Sequence, residues 1–340
     1  MLNLAPRKFS NQIQLTMNQI KTPRYVFSFK EGDGKNKHLL GGKGANLCEM
    51  TQIGLNVPPG FVISTEACLT YLAHPQRHLP HTVMEEVRRQ MQAVEAATGK
   101  AFGNPQNPLL VSVRSGSALS MPGMMDTILN LGLNEQTLQG LIKQTNNERF
   151  GYDAYRRFIQ LFGKVALGVP DEKFDAHFEE VKHQAGVKND IGLSAADLKE
   201  VSQRFLEVVR EHTGKPFPQD VFNQLEIAIK AVFNSWMGKR AVDYRREFKI
   251  TPQMANGTAV NVVAMVFGNM GNDSATGVGF TRDPGTGENA MFGEYLINAQ
   301  GEDVVAGIRT PKPVHQLEDE MPEMYRQLAA LSQKLKNHYK

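Results

Sequence analysis

Between about residue 135 and residue 250 the apolar positions recur at helical spacing, while the segments on either side read as strands and glycine turns. That order decides the fold class before composition enters. Tyr155, Phe158, Ile159, Phe162 and Val165 make one stripe, closed by Gly168 and Pro170. Leu225, Ile229, Val232 and Trp236 make another, and Ser194 with Asp197 has the spacing of a capping box ahead of Leu198, Val201 and Phe205. Such stripes must be buried, so their residues are read as core. Ahead of them, Tyr25-Val-Phe-Ser-Phe alternates like a strand, and Gly60-Phe-Val-Ile-Ser and Leu109-Leu-Val-Ser-Val-Arg are short apolar runs. Val83, Val87, Met91 and Val94 form a helix between those runs, stopped at Gly99. After Gly257 a long strand is expected over 258–267. Shorter ones follow at 276–281 and 290–297, joined as a hairpin by Pro284-Gly-Thr-Gly-Glu, with a closing helix over 318–339. Strands, then helices, then strands make an α+β assembly and exclude a doubly wound parallel sheet.

The 340 residues are too many for one comfortable core, so two or three packed subdomains are expected. With 41% hydrophobic and 21% charged residues, neither a disordered chain nor a coiled-coil rod fits. Lys and Arg number 38 against 35 Asp and Glu, too small a surplus to argue for a nucleic-acid partner. No run approaches eighteen apolar residues, so no membrane span is expected. Cys48 and Cys68 form neither a disulfide framework nor a CxxC pair, which favours a reduced, cytoplasmic setting. The first thirty residues lack Asp and Glu and carry Arg7, Lys8, Lys21, Arg24 and Lys30. Residues 1–24 are expected to be a disordered basic extension, with an organelle transit peptide as the alternative.

Three segments carry chemistry. Leu39-Leu-Gly-Gly-Lys-Gly-Ala-Asn-Leu combines glycines that permit close backbone approach, a helix beginning after them, and the positive charge of Lys43. It is not the GxxxxGK[ST] loop, and a plain glycine turn is its other reading. In Ser112-Val-Arg-Ser-Gly-Ser-Ala-Leu-Ser-Met-Pro-Gly-Met-Met-Asp-Thr, Arg114 ends a buried strand where its planar fork can meet phosphate oxygens. The aperiodic stretch after it reads as a flap, or as an ordinary surface loop with a salt-bridged arginine. In the third segment, Ala264-Met-Val-Phe-Gly-Asn offers backbone groups to an adenine edge, or is simply a buried strand. Asp273-Ser-Ala-Thr-Gly-Val-Gly offers hydroxyls and glycines to phosphates. Glu294, Glu302 and Asp303 surround a glycine turn and suit Mg²⁺, or are surface carboxylates. No HExxH, GxSxG or spaced Cys/His cluster appears, and no GxGxxG joins a strand to a helix.

Together, Leu40-Gly-Gly-Lys-Gly, the 112–132 segment with Met-Pro-Gly-Met-Met-Asp-Thr, and Gly293-Glu-Tyr-Leu-Ile-Asn-Ala-Gln-Gly-Glu-Asp-Val-Val closely resemble the pyruvate, phosphate dikinase family. The likeness runs over about residues 25–340. It implies an ATP-grasp-like fold, two α/β lobes with an inserted helical subdomain, clamping ATP. On this reading residues 25–134 form the first lobe, 135–219 the helical subdomain, 220–256 helices returning to the first lobe, and 257–340 a truncated second lobe. The family converts ATP, phosphate and pyruvate to AMP, diphosphate and phosphoenolpyruvate with Mg²⁺ and a monovalent cation. A phosphohistidine domain and a pyruvate-binding domain, absent from this sequence, carry the later steps, and the full-length enzyme is expected to be a homo-oligomer. By motif position, Lys43 and Arg114 resemble the catalytic phosphate ligands. Met265, Val266, Thr276, Gly277, Glu294 and Glu302 match the ATP site, and Glu302 and Asp303 the metal site, with further ligands expected beyond residue 340. The strands at 258–267, 276–281 and 290–297 are expected to share one sheet. Where the family pattern has Val-Gln, this chain has Val263-Ala264. The rival readings are an inactive nucleotide-binding or interaction module, a phosphoenolpyruvate synthase-like nucleotide domain, and a different ATP-grasp ligase.

Overall fold

The structure, a computed structural model, describes residues 23–305, 307 and 309–339; nearly all of the basic extension expected over residues 1–24 lies outside the described residues. Strand Val26–Ser28 (β1) leads to helix Lys37–Gln52 (α1), strand Gly60–Ile63 (β2) and helices Thr65–Ala73 (α2) and Val83–Thr98 (α3). A small corner of Ala101–Phe102 (β3) and Pro108–Leu109 (β4) precedes a hairpin of Val111–Gly116 (β5) and Thr127–Leu131 (β6). Then come helices Glu135–Thr145 (α4), Glu148–Ala166 (α5), Asp171–Gln184 (α6), Ala195–Thr213 (α7), Val221–Ser235 (α8) and Lys239–Glu247 (α9). Strands Ala259–Ala264 (β7), Ala275–Phe280 (β8) and Phe292–Ile297 (β9) follow, with helix Gly301–Val305 (α10) and strand Lys312–Pro313 (β10). Helices Leu317–Glu320 (α11) and Pro322–His338 (α12) close the chain.

Local chemistry sets several of these boundaries. Gly99 ends α3 in the left-handed region, at φ 67°. Ser194 Oγ accepts from the Asp197 N–H while Asp197 accepts from the Ser194 N–H, so the expected capping box forms. The helix expected over 318–339 is broken in two. Met321, which precedes Pro322, is pushed out of the α region to φ −141°, ψ 67°.

β1, β2, β7, β5 and β6 lie side by side in that order in one sheet, with every pair antiparallel. Strand alternation gives the sheet two packed faces. Phe61, Ile63, Val111, Val113, Val260 and Val262 join the large core that also holds the stripes of α3, α5, α7 and α8. On the other face Val62 and Ala259 pack with Leu40, Ala45 and Cys48 of α1.

The single sheet expected from 258–267, 276–281 and 290–297 does not form. β7, whose Val260 and Val262 are buried, takes a central place between β2 and β5. β8, opened by Gly277 and Gly279, pairs with β9 in a separate three-stranded sheet of order β10-β9-β8. β7 is also shorter than expected. After Ala264 the Met265 N–H reaches back to the Leu110 carbonyl and the chain leaves the ladder. The Ser/Gly/Met-rich stretch after Arg114 is bounded by the ladder, since the chain returns as β6 at Thr127 and residues 117–126 lie between the two strands.

Candidate functional site

Lys43 reaches the sheet because of the glycines around it. Gly41 interrupts α1 at φ 69°, and a Cβ there would overlap the Gly116 carbonyl oxygen. The Gly42 N–H donates to the Ser117 carbonyl at 2.8 Å. A Cβ on Gly44 would stand 2.8 Å from Asn261 Oδ1. The close approach these glycines permit is therefore to the end of β5. The Gly42 amide is spent there and is not left for a ligand. Lys43 extends over the same strand end, its ammonium donating to the Ser115 carbonyl at 3.2 Å.

Arg114 lies on the α1 face of β5, since Val111 and Val113 point into the opposite core and successive side chains alternate. Its sheet neighbours are Asn261 on β7 and Thr127 on β6. α1 covers β2 and β7, and Arg114, at the sheet's outer half, stays exposed. Among the described residues neither Lys43 nor Arg114 forms an ion pair. Partial desolvation, followed by the Arg114 charge, holds the Lys43 ammonium below its ordinary pKa. Desolvation lowers Arg114 too, against the opposing pull of Glu302. Two like charges are thus gathered at one strand end without a protein anion shared between them. Asn261, fully buried beneath both, donates to the Arg114 carbonyl at 3.3 Å.

Glu302 and Asp303, on α10, both accept from one Arg157 nitrogen, at 2.7 and 3.0 Å. Arg157 in turn donates to Asp153 at 3.0 Å, and Arg156 ties Asp153 to Asp190. Burial pushes the Asp153 carboxyl up, but the Arg156 and Arg157 charges outweigh it and leave it below the usual carboxylate range. The carboxylates expected to hold a metal are therefore engaged by Arg157. Among the described residues no group of three or more His, Cys, Asp or Glu side chains is gathered as a metal cage.

The other expected residues fall into two groups. Thr276 lies beside the start of α10, its hydroxyl 3.7 Å from where a Gly301 Cβ would stand. Met265 and Val266 sit on the crossover between the two sheets, which the Ala299 N–H clasps by donating to the Gly268 carbonyl at 2.9 Å. Gly277 is opposite Tyr295, and Glu294 is exposed between Val278 and Pro313. Sequence reasoning passed over Arg157 and Asn261. The signal for the first was a charged pair, Arg156-Arg157, set with Asp153 inside the most apolar helical stripe. For the second it was a lone amide in an otherwise aliphatic strand.

Among the described residues no helix is long and apolar enough to cross a membrane. The family described as "Pyruvate phosphate dikinase, AMP/ATP-binding domain" matches over residues 37–76 and 75–339. The pyruvate, phosphate dikinase of Entamoeba histolytica is 62% identical over 92% of this chain and 36% of its own length. That of Clostridium symbiosum is 49% identical over 93% of the chain and 36% of its own. A rice protein named "Pyruvate, phosphate dikinase 1, chloroplastic" is 51% identical over 94% and 34%. The chain spans about a third of the length of these relatives. Matched along nearly all of its described length, with Lys43, Arg114 and Glu302 inside the match, the chain belongs to the pyruvate phosphate dikinase AMP/ATP-binding domain family.

Proposed function

We propose that the chain binds ATP with its phosphates at the Lys43–Arg114 strand end, in an ATP-grasp-like clamp between the two sheets. The observation that carries this is that Lys43, whose ammonium reaches the Ser115 carbonyl, and the exposed Arg114 stand at one strand end, neither with an ion-pair partner among the described residues. Like charges brought close repel, and an anion bound between them relieves that repulsion. A polyphosphate supplies one with oxygens in the geometry of the guanidinium fork. Lys43 neutralises phosphate oxygens as a point charge, and Arg114 fixes them in bidentate fashion. Thr276 offers a hydroxyl from the β8 side, and the Met265–Val266 crossover offers backbone groups to the base.

Magnesium would enter with the nucleotide's phosphates, because Glu302 and Asp303 are already engaged by Arg157. Bound there, it would neutralise phosphate charge. Within a longer protein of this family, the domain would supply the phosphoryl group that ends in phosphoenolpyruvate, with AMP and diphosphate as the other products. Catalysis of this kind rests on charge stabilisation and positioning. The phosphohistidine and pyruvate-binding steps would fall to other parts of such a protein. Equilibrium dialysis of the purified chain against labelled ATP and Mg²⁺ tests the reading. Saturable binding without phosphoenolpyruvate formation is expected; no binding, or steady phosphoenolpyruvate production by this chain alone, contradicts it.

A further inference from the structure

The 117–126 flap has a seat that the site itself does not require. Met121, Pro122, Gly123 and Met124 form a tight turn. The Met124 N–H donates to the Met121 carbonyl at 3.2 Å, with Pro122 at the second position and Gly123, φ 72°, at the third. The turn is docked. Met121, 5% exposed, shares a satellite core with Trp236 and Ala255, backed by Met124, Met125 and Tyr244. From α9, Arg240 donates to the Gly123 carbonyl at 3.2 Å and to the Asp126 carboxylate at 3.0 Å.

Asp126 connects this seat to the proposed phosphate site. Its own carbonyl accepts from the Ser115 N–H at 3.4 Å, and the Ser115 carbonyl accepts from the Lys43 ammonium at 3.2 Å. Three successive hydrogen bonds thus run from Arg240 through Asp126 and Ser115 to Lys43. At the base of the flap the buried Ser117 hydroxyl has no hydrogen-bond partner among the described residues.

We propose that Arg240 is a positioning residue for the nucleotide site, acting through Asp126 and Ser115 on the Lys43 head group. The inference rests on the ATP reading given above. Arg240 touches neither Lys43 nor Arg114. Its part is to hold the flap in the conformation that presents the strand end, so that the nucleotide does not meet the cost of ordering it. Arg240 is largely exposed, and an exposed pair is a weak tie. The expected effect on affinity is accordingly modest, about two- to fivefold.

The experiment is a titration of the full chain with ATP and Mg²⁺, read alongside the emission of Trp236, the chain's single tryptophan. Arg240→Ala should weaken ATP binding about two- to fivefold. In the absence of nucleotide it should also make Trp236 more accessible to acrylamide, as Met121 leaves its seat. Arg240→Lys, which keeps the Asp126 pair but not the fork to Gly123, should restore part of both. Lys239→Ala removes an equal charge from the adjacent position, where the side chain pairs with Asp243, and should change neither. A double cycle of Arg240→Ala with Asp126→Asn should show the two effects to be non-additive. Unchanged ATP affinity in Arg240→Ala, or equal weakening by Lys239→Ala, overturns the proposal alone. Failure of the unaltered chain to bind ATP overturns it together with the reading beneath it.

Discussion

On the proposed reading, Lys43 serves the ligand rather than the fold. Its pKa is depressed, so the folded state binds its proton less tightly than the unfolded chain does. The sign follows directly: below the folded pKa the charged Lys43 subtracts from stability, and the penalty disappears as pH rises through that pKa toward the unfolded value. The same depression means that the ammonium is lost at lower pH than for an ordinary lysine. ATP affinity measured at constant ionic strength should therefore decline on the alkaline side sooner than an unperturbed lysine would allow. Arg114 is a different case, because its value lies in shape. Arg114→Lys keeps the charge but loses the planar fork. A charge-assisted hydrogen bond of about 1.5–3 kcal/mol should be lost, roughly ten- to a hundredfold in ATP affinity by calorimetric titration.

Among the elements, α5 does more than pack. Its apolar stripe fills the large core, while Asp153, Arg156 and Arg157 on the same helix tie it to Asp190 and to α10. Asp153 is 5% exposed, and removing it leaves two arginines short of a buried anion. Asp153→Ala should cost about 3–5 kcal/mol in denaturant unfolding, and an unchanged midpoint would show that Glu302, Asp303 and Asp190 suffice. The stripe was legible in the sequence because helical spacing reports burial directly, and the capping box at Ser194 because it is local. The polar network was not legible, since Asp190 and Glu302 reach α5 from far along the chain. Long-range pairing also explains the misplaced β7. Its alternation was plain, but nothing in residues 258–267 says which strands will flank it. The Lys43 and Arg114 motifs were readable, whereas their meeting depends on Gly41 and Gly116 touching across two elements.

At the scale of the molecule, the sheet with its helices and the α1 side form separate buried clusters, and each contains one cysteine. Cys48 lies on the buried face of α1 and Cys68 in the large core, and burial raises their thiols to about 11 and about 12. Both should resist a thiol reagent at pH 8 until the chain opens. Equal labelling rates would mean that the two clusters open together, and a faster Cys48 that the α1 side opens first. Lys43 and Arg114 stand where α1 meets the end of β5, with Glu302 of α10 pulling on Arg114, and a nucleotide is the ligand proposed for them. The most direct measurement pairs ATP affinity with melting temperature for the unaltered chain and Lys43→Met. Affinity should fall at least about tenfold while the melting temperature holds or rises, since a penalised charge is replaced by an apolar stem. Equal ATP affinity in the two proteins, or a lost melting transition in the variant, would contradict it.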